Sequence, residues 1–362
     1  MKILHYIDAD SISWVNAYME HIKSLEKFKI QQVMLFRSGG NLEEAAKNNN
    51  IEFFTWQPFV SSMPFLSHDF VNLIREISPD IIHTRLSSAA KIAGFWRKKL
   101  NIPVISTFDK PAKSKYYKNS SHCIACAGWL KNHMIKMQKF SPEKISVVYN
   151  PVDINKFSHD EKARNDFRKN LGISEREILF SGMGVFVKRK GFDILIKAFA
   201  KVHEHNKNIR LALIGGGGEK GMRENYIKLA DELGIKIIMP EKFVDNSREW
   251  LAASDIFVMP SREEGFSFAL LEALASGLPA IVSDIKPFTE IIKNDENGLV
   301  ALKDNAENFA LNMKKMLDMT HEERLNFINS SLKMLSENFT PEISAMKTFE
   351  IYKKFLNNKN EN

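Results

Sequence analysis

The chain has 362 residues, of which 44% are hydrophobic and 26% are charged. This composition excludes wholesale disorder, and the length suits two domains of ordinary size. No apolar run approaches the roughly 18 residues that would span a bilayer, and the N-terminus lacks a signal-peptide stretch, so we expect a cytoplasmic protein. The net charge is +7, and residues 1–155 hold all of it, with 20 Lys and Arg against 13 Asp and Glu, whereas the remainder has 31 of each.

The first 155 residues alternate apolar runs with stretches of helical periodicity, such as residues 15–27 and 89–99. Strands that alternate with helices indicate an α/β domain with a parallel, doubly wound sheet. The predicted strands are residues 2–7, 31–36, 51–56, 80–85, 103–108, 122–127 and 145–150.

The only two cysteines, Cys123 and Cys126, lie inside one of these apolar runs. Residues three apart on a strand point to opposite faces of the sheet, and no second Cys pair accompanies them. We therefore predict buried structural thiols and not a redox or zinc site.

Two dense basic stretches, residues 91–99 and 110–118, carry the aromatic residues Phe95, Trp96, Tyr116 and Tyr117. Such stretches are typical of surfaces that meet a polyanion, and of the two polyanions we expect an anionic membrane and no nucleic acid. A solvated helix face and a charged loop remain the alternative. Residues 58–66 add an apolar segment with two prolines, which we expect to be a loop able to dip into a headgroup layer.

Residues 160–175 are charged and helical and are interpreted as the hinge into a second domain, where the alternation restarts. We place the domains at 1–155 and 156–338, and expect a C-terminal helix within 339–362 to pack back on the first domain. Ligands of doubly wound sheets lie at the carboxyl ends of the strands, so two such domains facing each other would form a cleft. The second set of predicted strands is 177–183, 209–215, 235–240, 255–260, 279–284 and 298–302, with helices at 191–205, 219–233, 246–253 and 266–276.

Three consecutive cations, Lys188, Arg189 and Lys190, follow the first strand of the second set. At the carboxyl end of a strand they suit a leaving diphosphate, and an exposed basic loop is the alternative. The run Gly215 to Gly218 follows the next strand but is not a clean Gly-x-Gly-x-x-Gly and has no acidic partner at the usual distance. Close approach of the backbone to a nucleotide and a tight turn explain this run equally well.

Glu264 and Glu272 stand eight residues apart, across a strand end, a glycine turn and a helix start. A helix that begins near residue 266 would point N–H groups at a ligand beyond the strand, which suits a diphosphate. The two carboxylates would then accept hydrogen bonds from the hydroxyls of a nucleotide sugar. An acidic helix start that complements the helix dipole is the simpler alternative. The N–H groups in question belong to Gly265, Phe266 and Ser267.

This segment closely resembles the signature of the retaining glycosyltransferases of the GT-B fold, family four (glycosyl transferases group 1). The Glu-x7-Glu pattern, the glycine after the first Glu and the Glu-Ala-x-Ala-x-Gly-x-Pro tail are all present. The segment Asn150-Pro-Val-Asp-x3-Phe157 matches the recurring interdomain segment of the family, and Lys190-Gly191 matches the Lys-Gly of its phosphate clamp. The arginine of that clamp is replaced by Val185, for which Arg189 or Lys188 is the expected substitute.

The resemblance implies two Rossmann-like domains and a retaining, metal-independent transfer of hexosyltransferase type from a nucleoside-diphosphate sugar, with a UDP-sugar favoured. It implies that Lys190 and Arg189 neutralise the diphosphate, that Glu264 holds hydroxyls of the transferred sugar and that Glu272 holds the ribose. No cofactor is expected, because the nucleotide sugar is a substrate. The glycines that would border the nucleotide are Gly215 and Gly216.

The acceptor implied by the resemblance is a saccharide or glycolipid of bacterial lipopolysaccharide or other surface-glycan synthesis, met at the inner face of the inner membrane. Asp109 stands where the family often has His, and either contacts the transferred sugar or acceptor or is a solvated turn residue. The other acceptor candidates are Asp10, Ser11, Lys113, Lys115 and Lys118.

Two other functions remain open. A nucleotide-sugar epimerase of the same two-domain fold would need acids and histidine bases that the sequence does not assemble. A catalytically silent relative that acts as a binding or scaffold subunit is favoured by Val185. Zinc-protease, serine-hydrolase and Walker motifs are missing from the sequence.

Overall fold

The computed structural model describes residues 1–12, 14–241, 244 and 247–360. The chain forms two compact units. Unit 1 comprises residues 1–151 and the segment from residue 338 onward, and unit 2 comprises residues 152–337. The sequence placed these divisions at 155/156 and 338/339, and residues 361 and 362 of the predicted C-terminal segment lie outside the described residues.

Unit 1 is built on a seven-stranded, wholly parallel sheet in the order β3-β2-β1-β4-β5-β6-β7, so the strand order reverses between β1 and β4. Buried Ile, Val, Leu and aromatic side chains cover both faces of the sheet, as a parallel sheet requires. The strands are β1 Lys2–Ile7, β2 Gln31–Phe36, β3 Glu52–Thr55, β4 Ile81–Arg85, β5 Val104–Phe108, β6 His122–Ala125 and β7 Ile145–Val147. The helices are α1 Val15–Leu25, α2 Asn41–Asn48, α3 His68–Ile77, α4 Ser87–Leu100, α5 Gly128–Gln138 and the C-terminal helix Pro341–Asn360.

The C-terminal helix packs on α1 within unit 1. Phe28 and Phe349 stack with their ring centroids 4.4 Å apart. Buried hydrogen bonds join Ser344 to His21 at 3.1 Å and Tyr352 Oη to His83 Nδ1 at 2.5 Å. The helix is therefore tied to unit 1 by apolar and by polar contacts.

The prediction of buried thiols is confirmed, since Cys123 and Cys126 are both free and buried, and burial raises the pKa of Cys123 to about 12.

Two of the four aromatic residues in the basic stretches are not surface residues. Trp96 and Tyr117 are buried; Trp96 donates to the carbonyl of Pro64 at 2.9 Å. Trp96 belongs to an apolar core cluster of unit 1, and the ring of Tyr117 packs edge-on against Phe108 with the centroids 5.3 Å apart.

Unit 2 repeats the parallel arrangement with six strands in the order β10-β9-β8-β11-β12-β13, and its reversal lies between β8 and β11. The strands are β8 Ile178–Phe186, β9 Ile209–Gly218, β10 Ile237–Ile238, β11 Ile256–Met259, β12 Ala280–Ser283 and β13 Leu299–Ala301. The helices are α6 Ile154–Phe157, α7 Glu161–Asn170, α8 Phe192–His205, α9 Met222–Glu232, α10 Arg248–Ala253, α11 Phe268–Ala275, α12 Lys286–Thr289, α13 Ala306–Asp318 and α14 His321–Asn338.

The predicted hinge at 160–175 is wrong, because these residues form α7 and its C-terminal turn inside unit 2. Arg168 on α7 is buried and donates to Asp255 at 3.0 Å, and Arg164 donates to the same carboxylate at 2.5 Å. These ion pairs fix α7 to the start of β11.

The predicted helix 246–253 begins on Asn246, which lies outside the described residues; the described helix is α10.

Within the described residues, no helix combines the length and the apolar composition needed to cross a membrane.

Candidate functional site

The reversal of strand order in unit 2 marks one candidate site. In open α/β sheets, ligands bind beyond the carboxyl ends of the strands at such a switch point. Here the two segments at that position are residues 187–191, which follow β8, and residues 260–267, which follow β11. These segments contain the cationic run and the first glutamate of the sequence motif.

The cations after β8 reach the glutamate after β11. Lys190 Nζ donates to Glu264 Oε1, and Arg189 Nη1 donates to Glu264 Oε2 at 3.2 Å. Ser261 Oγ also donates to Glu264 Oε1, at 3.2 Å. The Glu264 and Lys190 side chains are 5% and 10% exposed, whereas Arg189 is 47% exposed. The three charges sum to +1, so this partly exposed ion-pair group can still attract an anion.

Gly191 explains why the two segments come so close. It adopts a left-handed conformation, with φ of +70°, directly after the 3-10 turn at Lys188–Lys190. A Cβ atom at this position would lie 2.1 Å from the carbonyl oxygen of Pro260. Any side chain would therefore push the cationic turn away from the end of β11.

Arg262 ties the same two segments together and was not singled out from the sequence. Its backbone N–H donates to the carbonyl of Arg189 at 2.7 Å, and its Nη1 donates to the carbonyl of Lys188 at 2.7 Å. Its guanidinium also binds both oxygens of Asp193 at 2.8 Å and Asp304 at 2.5 Å. Hydrogen bonding to Asp193 raises the pKa of Arg262 above its ordinary value. Its place two residues before Glu264 was the only signal in the sequence.

The glycine run forms the end of β9 and not a loop after it. A Cβ atom on Gly215 would lie 2.0 Å from the carbonyl oxygen of Gly184, and one on Gly218 would lie 2.3 Å from that of Phe186. The glycines are therefore required by close approach to β8. Val185 pairs with Gly216 in this sheet, and the pairing register shifts directly after it.

The carboxyl end of β9 also borders a surface cavity of about 250 Å³. Gly216 lines this cavity, whose wall includes the charged residues Arg223 and Glu241. Gly215 is not among its lining residues.

Helix α11 begins at Phe268, two residues later than the sequence predicts, because Ser267 is its N-cap. Ser267 Oγ accepts a hydrogen bond from the N–H of Leu270 at 3.3 Å, as is typical of a helix start. Gly265 and Phe266 consequently lie in the loop before the helix. Glu272 is half-buried on α11, and its Oε2 accepts a hydrogen bond from Ser247 Oγ at 2.8 Å.

The switch point of unit 1 carries a second polar group, at the ends of different strands. Arg85 ends β4, is buried, and donates through Nη1 to Asp109 Oδ1 at 2.7 Å and to Asn150 Oδ1 at 3.2 Å. Asn150 Nδ2 donates to the same Asp109 oxygen at 3.1 Å. The rings of Trp14 and Tyr18 lie 5.0 and 5.1 Å from the guanidinium. Asp109 is therefore held by two neighbours at its Oδ1, and Arg85 and Asn150 are site candidates that sequence reasoning missed.

The other acceptor candidates of unit 1 are exposed. Ser11 Oγ accepts a hydrogen bond from the N–H of Asn41 at 3.1 Å and so stabilises the start of α2. Asp10 precedes it in the same loop. Lys113, Lys115 and Lys118 lie on and around the 3-10 turn Ser114–Tyr116, with Lys115 Nζ 5.3 Å from the ring of Tyr116. In the part of the chain that the structure describes, no three His, Cys, Asp or Glu residues are grouped so that they could hold a metal ion.

Comparison with known families agrees with this architecture. The family model described as "Glycosyl transferases group 1" matches residues 162–334, and the one described as "Glycosyltransferase Family 4" matches residues 18–156. An uncharacterized glycosyltransferase of Methanocaldococcus jannaschii is 28% identical over 243 residues, which are 65% of this chain and 60% of that protein. The chain thus spans three fifths of the length of that relative.

The lipopolysaccharide core biosynthesis glycosyltransferase LpsE of Rhizobium meliloti is 24% identical over 326 residues, covering 86% of this chain and 87% of LpsE. Among solved structures, HepE of Anabaena in complex with UDP superposes with a TM-score of 0.86 at 16% identity, covering 98% of this chain and 100% of HepE. The structural likeness shows the fold and confirms the predicted GT-B class. With a family match on each unit, the chain belongs to the group 1 glycosyl transferases.

Proposed function

We propose that the protein is a retaining glycosyltransferase that moves a hexosyl group from a UDP-sugar to a saccharide or glycolipid acceptor without a metal ion. The observation that carries the proposal is the convergence of Arg189, Lys190 and Glu264 at the switch point of unit 2. The family to which the chain belongs supports the reaction class. HepE has also been solved with UDP-glucose, which supports the choice of uridine as the base.

The ion-pair group gives each residue a role. Phosphate oxygens of the donor would share Lys190 and Arg189 with Glu264, and the two cations would stabilise the negative charge that develops on the leaving diphosphate. As the cations turn to phosphate, the oxygens of Glu264 become available to hydroxyls of the sugar. Because the first N–H groups of a helix have no acceptor within it, the start of α11 would add further donors toward the phosphates.

The proposed chemistry is a front-face displacement. The acceptor hydroxyl oxygen forms a bond to the anomeric carbon while the bond from that carbon to the diphosphate oxygen breaks. The electron pair of the broken bond and the proton of the acceptor both go to the leaving phosphate, so that charge is balanced. The anomeric configuration is retained, which proton NMR of the product can check; an inverted product would contradict this mechanism.

Asp109 in unit 1 is the proposed contact to the acceptor. Arg85 and Asn150 both bind its Oδ1, so the carboxylate is oriented and its Oδ2 can accept a hydrogen bond from a sugar hydroxyl. The similarity to LpsE, a lipopolysaccharide core biosynthesis glycosyltransferase, supports an acceptor of the bacterial surface-glycan class. Such an acceptor places the protein in the cytoplasm, peripheral on the inner face of the inner membrane.

Thermal denaturation with UDP, GDP and ADP tests the donor assignment, because a ligand that binds the folded state raises the midpoint. We expect the largest rise with UDP; no rise with any of the three would contradict the donor site. Release of UDP from a panel of UDP-sugars without acceptor, with and without EDTA, then tests turnover and metal independence.

The second candidate function is a catalytically silent binding subunit, which Val185 favours. Binding of UDP without any turnover of the panel or of candidate acceptors would support it.

A further inference from the structure

An exposed apolar surface lies on unit 1 and is formed by residues that take no part in the polar groups already described. It consists of Phe59, Met63, Phe65 and Leu66 in the loop after β3 and of Phe95 on α4. Phe59 is 88% exposed and the other four are 44–52% exposed. The 3-10 turn Pro64–Leu66 of this loop packs on α4, so the exposed side chains come from neighbouring segments. Exposed apolar groups that cluster usually mark a binding surface, whereas single exposed residues do not. We call these five residues the apolar surface.

The loop that carries four of the five residues is fastened to its own unit by polar groups. Ser61 Oγ accepts a hydrogen bond from Arg37 at 3.0 Å, and Pro64 O accepts one from Trp96 at 2.9 Å. Lys91 on α4 donates to the carbonyl of Ser62. The polar atoms of the loop therefore face the protein, and its large apolar side chains are held toward solvent. A fixed presentation of this kind reduces the entropy lost on binding.

The charge around the apolar surface selects its partner. Residues 53–68, 81–108 and 110–142 contain no Asp or Glu. Helix α4 ends with three cations, of which Lys98 and Lys99 are exposed. The turn with Lys115, flanked by Lys113 and Lys118, packs on the same helix. The exposed acid that follows this loop, Asp69, accepts a hydrogen bond from Trp56 at 2.7 Å. An apolar centre whose border is mainly cationic fits a surface that is apolar beneath and anionic on top.

We propose that the apolar surface docks on an anionic lipid bilayer, with Phe59 and Phe65 in the headgroup layer and the lysines of α4 at the lipid phosphates. Amphipathic surfaces bind membranes by these two contributions, apolar burial and attraction to anionic lipid. The loop follows the carboxyl end of β3, at the same edge of the sheet as Asp8, Asp109 and Asn150. The inference rests on the proposed function in one respect, that a lipid-linked acceptor would enter unit 1 from this edge.

Flotation of the full chain with lipid vesicles tests the proposal. We expect binding to phosphatidylcholine vesicles that contain about 30% phosphatidylglycerol and none to pure phosphatidylcholine, with binding weakened as salt rises from about 0.05 to 0.5 M. The double variant Phe59→Ser/Phe65→Ser should lose at least about ten-fold in partition coefficient, equivalent to about 1.4 kcal/mol. Lys98→Glu/Lys99→Glu should lose binding to a similar extent.

Matched controls lie on α13 of unit 2, where Leu311 is 65% exposed and Lys314 is exposed. Leu311→Ser and Lys314→Glu should bind vesicles as the unchanged chain does. Absence of binding to anionic vesicles at low salt would overturn the proposal, and so would full binding by the Phe59→Ser/Phe65→Ser variant. The UDP-induced rise in midpoint, measured on the same preparations, reports the donor site separately, so failure of the docking surface and failure of the proposed function are distinguishable.

Discussion

The two units share one strand order about their switch points. They differ in how the residues of their polar groups are distributed along the sequence. In unit 2 the cations and the glutamate lie in two short segments after β8 and β11, each of which has a recognisable local pattern. In unit 1 the polar group draws Arg85, Asp109 and Asn150 from the ends of three different strands, with one residue from each. A motif therefore reveals the first arrangement, whereas only the folded sheet reveals the second.

The units also differ in the titratable groups that they bury. Unit 1 contains His5, His21 and His83, all nearly inaccessible, and burial lowers the pKa of His5 to about 4 and of His21 to about 3. Burial lowers the pKa of His83 as well. None of the histidines described in unit 2 is buried: His159, His205 and His321 are exposed, and His203 is partly exposed. The two units should therefore respond differently to acid.

The largest expected effect is a selective loss of stability in unit 1 at acid pH. A histidine whose pKa is lowered on folding takes up a proton more readily in the unfolded chain, so the free energy of unfolding falls as pH drops below about 6.5. For His5, with a folded-state pKa of about 4, the loss across this window is on the order of 3 kcal/mol. Hydrogen exchange, corrected for intrinsic rates, should show lost protection in β1 and β4 before β8 and β11.

His21→Gln sharpens this test, because glutamine can still hydrogen-bond to Ser344 but does not titrate. The variant should flatten the pH dependence of protection in unit 1. Equal loss of protection in both units between pH values of about 6.5 and 4 would show that the buried histidines do not set the acid response.

The next largest effect is expected from Lys190→Ala. If Lys190 stabilises charge that builds on the leaving phosphate, its removal should lower kcat about 100-fold and change KM much less. Arg189→Ala should cause a loss of the same kind if Arg189 replaces the arginine that Val185 displaces. Full activity of both variants would mean that the phosphates bind elsewhere, and full activity of Arg189→Ala alone would reject only the replacement.

Glu272→Gln should weaken nucleotide binding and leave the fold intact. A carboxylate that accepts hydrogen bonds from ribose hydroxyls contributes about 1.5–3 kcal/mol, so the dissociation constant for UDP should rise about ten-fold or more. Glutamine can still accept from Ser247, which now bonds to Glu272 at 2.8 Å. Calorimetric titration with UDP measures the change; equal affinity in the variant would remove Glu272 from the donor site.

Sequence reasoning reached the parallel sheets because alternating strands and helices have distinct periodicities. It missed the end of β9 because glycines are usually taken to end a strand, whereas Gly215 and Gly218 are needed for contact with β8. It placed the hinge on α7 because a charged helix looks solvated, although Arg164 and Arg168 are directed at Asp255. These errors share one cause: the deciding partner is distant in the sequence.

Substitution of Arg262 is expected to have the smallest effect on activity. It is also the most direct test of how unit 2 positions its charged residues. The hydrogen bonds of Arg262 join the carbonyls of Lys188 and Arg189 to the carboxylates of Asp193 and Asp304. Lysine keeps the charge and loses the planar fork, so Arg262→Lys should weaken the positioning of the cationic turn by about 1 kcal/mol. We expect kcat/KM to fall about five-fold, mostly through kcat, with the midpoint of denaturation nearly unchanged.

The exposed Arg176 provides the matched control, since Arg176→Lys should leave both quantities as they are. A lower midpoint with unchanged kcat/KM in Arg262→Lys would mean that Arg262 only stabilises the fold. The pH profile of kcat/KM should also be measured for Arg262→Lys and for Lys190→Ala. If the two profiles change in the same way relative to the unchanged chain, Arg262 and Lys190 act together. In that case the motif of unit 2 extends beyond the two glutamates to the arginine that fixes the cationic turn beside Glu264.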